Sequence, residues 1–115
     1  KPDFPISTPA LFARVDGVTL TARPDTAAAL AAIEDENADL LCANVCNVFE
    51  QALEGKQRDC IEALKRALLL HGAVCAAMTG SGSAVFGLFH GEDACRAACG
   101  ALQSGSIRTF CAEFV

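Results

Sequence analysis

The sequence predicts an α+β domain in which helices pack on one face of a small antiparallel sheet. Apolar residues recur at helical spacing over much of residues 25–102, and two short, evenly apolar runs at 73–79 and 84–90 have the length of strands. A polar, glycine-rich segment joins these two runs and predicts a hairpin. Helices followed by a hairpin, another helix and a last strand are typical of the α+β class.

The N-terminal half is predicted to be mainly helical after an irregular start. Residues 1–16 contain three of the four prolines and are expected to be extended and rich in turns. A first helix follows, and Asp25 is suited to cap its N-terminus. A second helix is expected to start at Asn37 or Asp39 and to end at Gly55, because apolar residues between them keep helical spacing.

The C-terminal half contains the predicted sheet. A third helix is expected over residues 58–70, and the two hairpin strands come next. Residues 92–102 carry a stripe of small residues at helical spacing, which predicts a fourth helix that a sheet can approach closely. After a turn at 104–106, alternating apolar residues over 108–115 predict a last strand.

Composition excludes several classes of function. The chain has 115 residues and a net charge of −5, without a cluster of lysines or arginines, so nucleic-acid binding is not expected. No apolar run reaches the roughly 18 residues that span a bilayer, so no membrane contact is predicted. Seven cysteines without CxxC spacing indicate reduced thiols in a cytosol-like compartment rather than disulfides. No metal site is predicted, although Cys42/Cys46 and Cys95/Cys99 together offer four thiolates as an alternative.

Three motifs resemble those of the GHMP small-molecule kinases. Residues 72–89, GAVCAAMTGSGSAVFGLF, resemble the third family motif, and NVFE, with Asn47 and Glu50, resembles a second signature. ISTPALF, residues 6–12, resembles a segment near the substrate pocket. Within the family, the pattern is most similar to kinases that act on 4-diphosphocytidyl-2-C-methyl-D-erythritol.

The resemblance implies that the glycine-rich loop faces bound phosphates. Glycine backbones adopt positive φ freely, and successive N–H groups can curl into an anion-binding nest. Hydroxyl groups beside them add further donors. Without the resemblance, the same loop is also typical of a simple hairpin turn. The residues expected to face the phosphates are Thr79, Gly80, Ser81, Gly82 and Ser83.

The resemblance also implies a substrate surface near the start of the chain. Phe12 matches an aromatic position that stacks on cytosine, and Ser7 and Thr8 are its polar neighbours. From the residues alone, a core position is the favoured interpretation of Phe12, and Ser7 and Thr8 are typical of turns. Asn47 and Glu50 share a helix face and are expected to fix loop geometry rather than to touch substrate.

The resemblance further implies that the chain is one domain of a longer kinase. The family's C-terminal domain is ferredoxin-like, and its first strand would precede Lys1 and be missing here. ATP with Mg²⁺ would be held mainly by an N-terminal kinase domain, and no catalytic residue is expected in these 115 residues. A bacterial cytoplasmic protein is implied, and the chain alone is expected to self-associate. The alternatives are another GHMP kinase domain, or a non-catalytic binding or dimerisation module.

Overall fold

The computed structural model describes residues 1–114 and confirms the α+β class. Five α-helices, one short 3₁₀ helix and a two-stranded antiparallel sheet are present among these residues. The elements in chain order are α1 Thr8–Gly17, α2 Thr26–Glu34, α3 Ala38–Ala43, the 3₁₀ helix Val48–Ala52, α4 Gly55–Leu70, β1 Cys75–Met78, β2 Val85–Leu88 and α5 Glu92–Leu102.

The prediction of an extended N-terminus is wrong from residue 8 onward, where α1 begins. The Ser7 hydroxyl accepts a hydrogen bond from the Ala10 amide, and Pro9 lies in the first turn. Proline is tolerated there because its missing N–H would have no intrahelical partner. The prolines therefore help to start a helix rather than prevent one. Leu11, on the inner face of α1, is completely buried.

The predicted second helix is divided into two shorter ones. Asn37 caps α3 as expected, with the Leu40 amide 2.9 Å from its side-chain oxygen. However, α3 ends at Ala43, and Asn47 starts the separate 3₁₀ helix by accepting from the Phe49 amide. Asparagine side chains form hydrogen bonds with nearby backbone groups and so compete with the helical hydrogen bonds. The helix is therefore interrupted here although the apolar residues keep helical spacing.

The other helices agree with their predictions. Asp25 caps α2 through the Ala28 amide, and α5 has the expected extent. The helix α4 begins three residues earlier than expected, at Gly55, and ends before Gly72. Gly72 has φ +92° and follows the last turn as a left-handed cap, which lets the Ala73 amide donate back to the Leu68 carbonyl.

The hairpin packs against α4, which positions the loop between its strands. Cys75 pairs with Leu88 and Met78 with Val85 in an antiparallel register. A Cβ at Gly87 would lie only 3.3 Å from a Leu68 methyl carbon, so glycine allows α4 to approach β2 closely. The last residue of β1, Met78, belongs to the buried core cluster around α1 and α4. The buried members of this cluster are Ile6, Leu11, Ala52, Leu53, Ile61 and Met78.

The predicted last strand is absent over residues 108–114, and Val115 lies outside the described residues. One bridge pairs Pro2 with Ile107, and the Arg108 amide donates to the Lys1 carbonyl at 2.9 Å. Beyond this point the alternating apolar pattern has no neighbouring strand to pair with, and a strand needs such a partner. This segment, β2 and α5 together line a largely apolar cleft of about 680 Å³.

Candidate functional site

The glycine-rich loop is a tight turn held by its own backbone. The Thr79 amide donates to the Ala84 carbonyl at 2.9 Å, and the Gly82 amide donates to the Thr79 carbonyl at 3.0 Å. Gly80 has φ +55° and Gly82 has φ +84°, so both occupy a region that favours glycine. The amides of Gly80 and Ser81 have no acceptor among residues 1–114 and remain available to a ligand.

The second half of the loop anchors the turn in the core. Ser83 is 1% exposed, and its hydroxyl donates to the Phe4 carbonyl at 2.6 Å. A Cβ at Gly82 would lie 2.6 Å from the Met78 sulfur and 2.7 Å from the Ile6 Cδ1 atom. Gly82 and Ser83 therefore face protein in this structure, whereas Thr79 and Gly80 are exposed and Ser81 is half-buried.

The first half of the loop is held by the side chains of Asn47, which caps the 3₁₀ helix, and Glu50, which lies within it. The Asn47 amide group donates to the Met78 carbonyl at 2.6 Å and to the Gly80 carbonyl at 2.9 Å. One carboxylate oxygen of Glu50 accepts from the Met78 amide at 2.6 Å. The expectation that Asn47 and Glu50 fix loop geometry is confirmed by these contacts.

Lys65 supports this arrangement, although no sequence pattern points to such a role. Its ammonium group donates to the second carboxylate oxygen of Glu50 and, at 3.2 Å, to Glu62. Burial opposes the charge of Lys65, but the hydrogen bonds and charges of Glu50 and Glu62 outweigh burial and raise its pKa. A single lysine on α4 is indistinguishable by sequence from an ordinary solvated one.

The start of α1 lies against the loop. The hydroxyls of Thr8 and Ser81 share a hydrogen bond at 2.7 Å, which joins two regions separated by 73 residues. Ser7, the neighbour of Thr8, is occupied mainly as the N-cap of α1. Two motifs that were interpreted separately, the TGSGS loop and the ISTPALF segment, therefore form one continuous surface.

Phe12 lies on the same face of α1 as Thr8, one turn further on. It is 54% exposed, so the alternative that it is a core residue is wrong. Its ring contacts Phe49 edge-to-face, with centroids 4.9 Å apart and planes at 83°. This contact orients the ring while about half of it stays accessible to a ligand.

The chemistry of this surface is that of a neutral hydrogen-bond donor. Thr8, Thr79 and Ser81 supply hydroxyls, and Gly80 and Ser81 supply free amides. Such groups can bind anionic oxygens, but a hydroxyl at neutral pH is not a base. The carboxylate of Glu50 lies beside the start of the loop, but its oxygens already accept from the Met78 amide and from Lys65.

A family comparison matches most of the chain. The GHMP kinases C terminal family profile matches residues 26–106, which include Asn47, Glu50 and the whole glycine-rich loop. The chain belongs to the GHMP kinase family. Residues 6–12 lie outside the matched range.

Several curated proteins that are similar to this GHMP kinase domain share one more specific name. The 4-diphosphocytidyl-2-C-methyl-D-erythritol kinase of Clostridium tetani is 36% identical over 93 residues, which cover 81% of this chain and 33% of the relative. The kinase of the same name from Caldicellulosiruptor saccharolyticus is 38% identical over 99 residues, covering 85% and 34%. That from Syntrophomonas wolfei is 38% identical over 93 residues, covering 81% and 32%.

The chain spans about a third of the length of the curated relatives it matches. No solved structure matches the chain significantly. Within residues 1–114, no helix is both long and apolar enough to cross a membrane.

Proposed function

We propose that this chain is the C-terminal domain of an ATP-dependent kinase that phosphorylates the 2-hydroxyl of 4-diphosphocytidyl-2-C-methyl-D-erythritol. The observation that carries the proposal is the likeness to kinases of that name over about four-fifths of the chain. The match to one third of each relative supports a longer protein whose remaining part supplies the other functions.

In this proposal the N-terminal part of the longer protein binds ATP and Mg²⁺. Mg²⁺ prefers carboxylate and phosphate oxygens, and the exposed loop offers only hydroxyls and amides. The loop therefore suits the phosphates of the nucleotide or substrate rather than the metal. ATP supplies the phosphoryl group, and the metal neutralises charge on the phosphates.

The contribution of the loop is to position phosphate oxygens. The free amides of Gly80 and Ser81 and the hydroxyl of Thr79 all lie at the turn that Asn47 and Glu50 hold in place. Donors that are fixed before the ligand arrives need no reorganisation during reaction, and phosphoryl transfer depends mainly on positioning and electrostatics. A loop without an acid or a base can therefore contribute to the rate.

The contribution of Phe12 is to bind the cytosine of the substrate. A half-exposed aromatic ring, held by Phe49, presents a flat apolar face of the kind on which bases stack. Thr8, on the same face of α1, reaches the loop through Ser81. This continuity supports a substrate that lies with its base near Phe12 and its phosphates toward the loop.

The longer protein would also complete the sheet. The antiparallel pairing of Pro2 with Ile107, and of Lys1 with Arg108, sets a register that residues preceding Lys1 would continue along 109–114. A strand in that position would enter the apolar cleft beside β2 and fill the place of the first strand expected from the family.

A substrate panel tests the proposed function. The protein that contains this domain is assayed for transfer of labelled γ-phosphate to 4-diphosphocytidyl-2-C-methyl-D-erythritol, homoserine and mevalonate. The proposal expects transfer to the cytidyl substrate at a kcat/KM at least about a hundredfold above the other two, because sites that pair polar groups discriminate strongly. Preferred transfer to homoserine or mevalonate would contradict the assignment.

A further inference from the structure

Three of the seven cysteines converge beside the apolar cleft. The sulfurs of Cys95, Cys99 and Cys111 all lie within 4.8 Å of one another, the only such group of possible metal ligands among residues 1–114. Cys95 and Cys99 are one turn apart on α5, and Cys111 comes from the segment that follows it. The sequence suggested two helical pairs, but the structure adds Cys111 to one of them instead.

We propose that Cys95, Cys99 and Cys111 form a three-thiolate binding site for a soft metal ion of the Zn²⁺ or Cd²⁺ class. Tetrahedral zinc binds thiolates at about 2.3 Å, which places sulfurs about 3.8 Å apart. The observed cluster brackets that spacing, with Cys111 and Cys95 at 2.8 Å and no sulfur pair beyond 4.8 Å. Cys111 lies outside any regular element, so a shift of about 1 Å is enough to admit the ion.

The approach of Cys111 to α5 is fixed by a polar turn. The Thr109 hydroxyl lies 2.8 Å from the Gln103 side-chain oxygen and 3.1 Å from the Cys99 carbonyl, and it shares its one proton between these two acceptors. The Thr109 amide also donates to Gln103, at 3.0 Å. The chain is thus attached to the last turn of α5 two residues before Cys111. This attachment lowers the entropy that closing a three-ligand site would otherwise cost.

The cluster differs from the other cysteines in its solvent exposure and in the number of thiols that lie together. Cys111 is exposed and Cys95 and Cys99 are half-buried, so an ion can enter from solvent. By contrast, Cys42 is buried beside Cys75, and these two thiols belong to no group of three possible ligands among residues 1–114. An all-sulfur ligand set selects soft ions over Mg²⁺, and three protein ligands leave one coordination position for water or a further ligand. The site is therefore distinct from the phosphate-facing loop.

Metal binding would displace the thiol protons. The Cys111 thiol donates to the Cys95 sulfur at 2.8 Å, and coordination to a shared ion would replace this hydrogen bond. Each coordinating sulfur loses its proton to solvent when the metal–sulfur bond forms. Three thiolates around a divalent ion leave a net charge of −1 at the site.

Cd²⁺ protection of the unmodified chain tests the proposal. The reduced, metal-free chain is titrated with Cd²⁺, and thiolate-to-metal absorption is followed in the ultraviolet. Samples are then alkylated with iodoacetamide and mapped by mass spectrometry. We expect saturation at one ion per chain and slower alkylation of Cys95, Cys99 and Cys111, with Cys46 and Cys60 unchanged. Equal protection of all cysteines, protection confined to Cys42 and Cys75, or no protection would overturn the site.

Matched variants add a second measurement. Cys111→Ser should weaken Cd²⁺ binding by roughly 10- to 100-fold, since even changes to groups that surround a metal's ligands have effects of that size. Cys60→Ser, on α4 and outside the cluster, is the control and should bind Cd²⁺ like the unmodified chain. Equal binding by the two variants would contradict the proposal, and the protection map decides the question if Cys111→Ser does not fold.

Discussion

Replacing Gly82 with alanine is expected to destabilise the fold much more than the same change at Gly80. A Cβ at position 82 would lie 2.6 Å from the Met78 sulfur and 2.7 Å from Ile6 Cδ1, and both neighbours are buried. Overpacking of a core costs typically about 1–3 kcal/mol. The φ of +84° adds about 1–2 kcal/mol for a residue with a side chain. The expected loss for Gly82→Ala is therefore about 2–5 kcal/mol.

Gly80→Ala is the matched control. Gly80 also has positive φ, +55°, but a Cβ there meets nothing within 4 Å. Only the conformational cost of about 1–2 kcal/mol should appear. The measurement is urea unfolding of each variant, followed by circular dichroism, with ΔG from linear extrapolation. If both variants lose the same stability, the packing of Gly82 against Met78 and Ile6 is not what requires glycine, and the reasoning is refuted.

Three further predictions concern the loop support and the chain in isolation. Asn47→Ala should lower the free energy of unfolding by about 1–3 kcal/mol, because the Met78 and Gly80 carbonyls both lose their donor, whereas Asn44→Ala removes one exposed hydrogen bond and should have a smaller effect. Equal losses in the two variants would contradict the role of Asn47 in holding the loop. The 115-residue chain alone should show no transfer of labelled γ-phosphate from ATP, and turnover above background would contradict the division of labour proposed between domains. At micromolar concentration the chain should self-associate in sedimentation equilibrium, because Phe110 and Phe114 are 77% and 87% exposed beside an unpaired strand edge; a monomer that melts cooperatively would contradict this.

Local signals predicted the elements whose reasons for forming are local. The caps at Asp25 and Asn37, the glycine after α4 and the two apolar runs around the loop are each readable within a few residues. The helix α1 was missed although its signal is equally local. Three prolines predict an extended, turn-rich segment, but Pro9 lies in the first turn of a helix, after the capping Ser7.

Long-range contacts account for what the sequence did not predict. Residues 108–114 alternate like a strand, but a strand also needs a paired neighbour, which no local pattern reveals. The bond between Thr8 and Ser81 and the support from Lys65 join residues far apart in the chain. Gly82 was interpreted as leaving room for phosphates, and its neighbours Ile6 and Met78 became apparent only in the fold.

The central claim is that Phe12 binds the substrate's base and not the nucleotide. It is tested most directly by measuring KM for each of the two in a Phe12 variant. In the protein that contains this domain, Phe12→Ala is compared with Leu30→Ala, a control of similar exposure on α2 (54% against 57%). Loss of a stacked base costs about 1–3 kcal/mol, so Phe12→Ala should raise KM for the cytidyl substrate roughly tenfold and leave KM for ATP unchanged. Equal changes for both substrates, or an unchanged cytidyl KM as in Leu30→Ala, would remove Phe12 from the substrate surface.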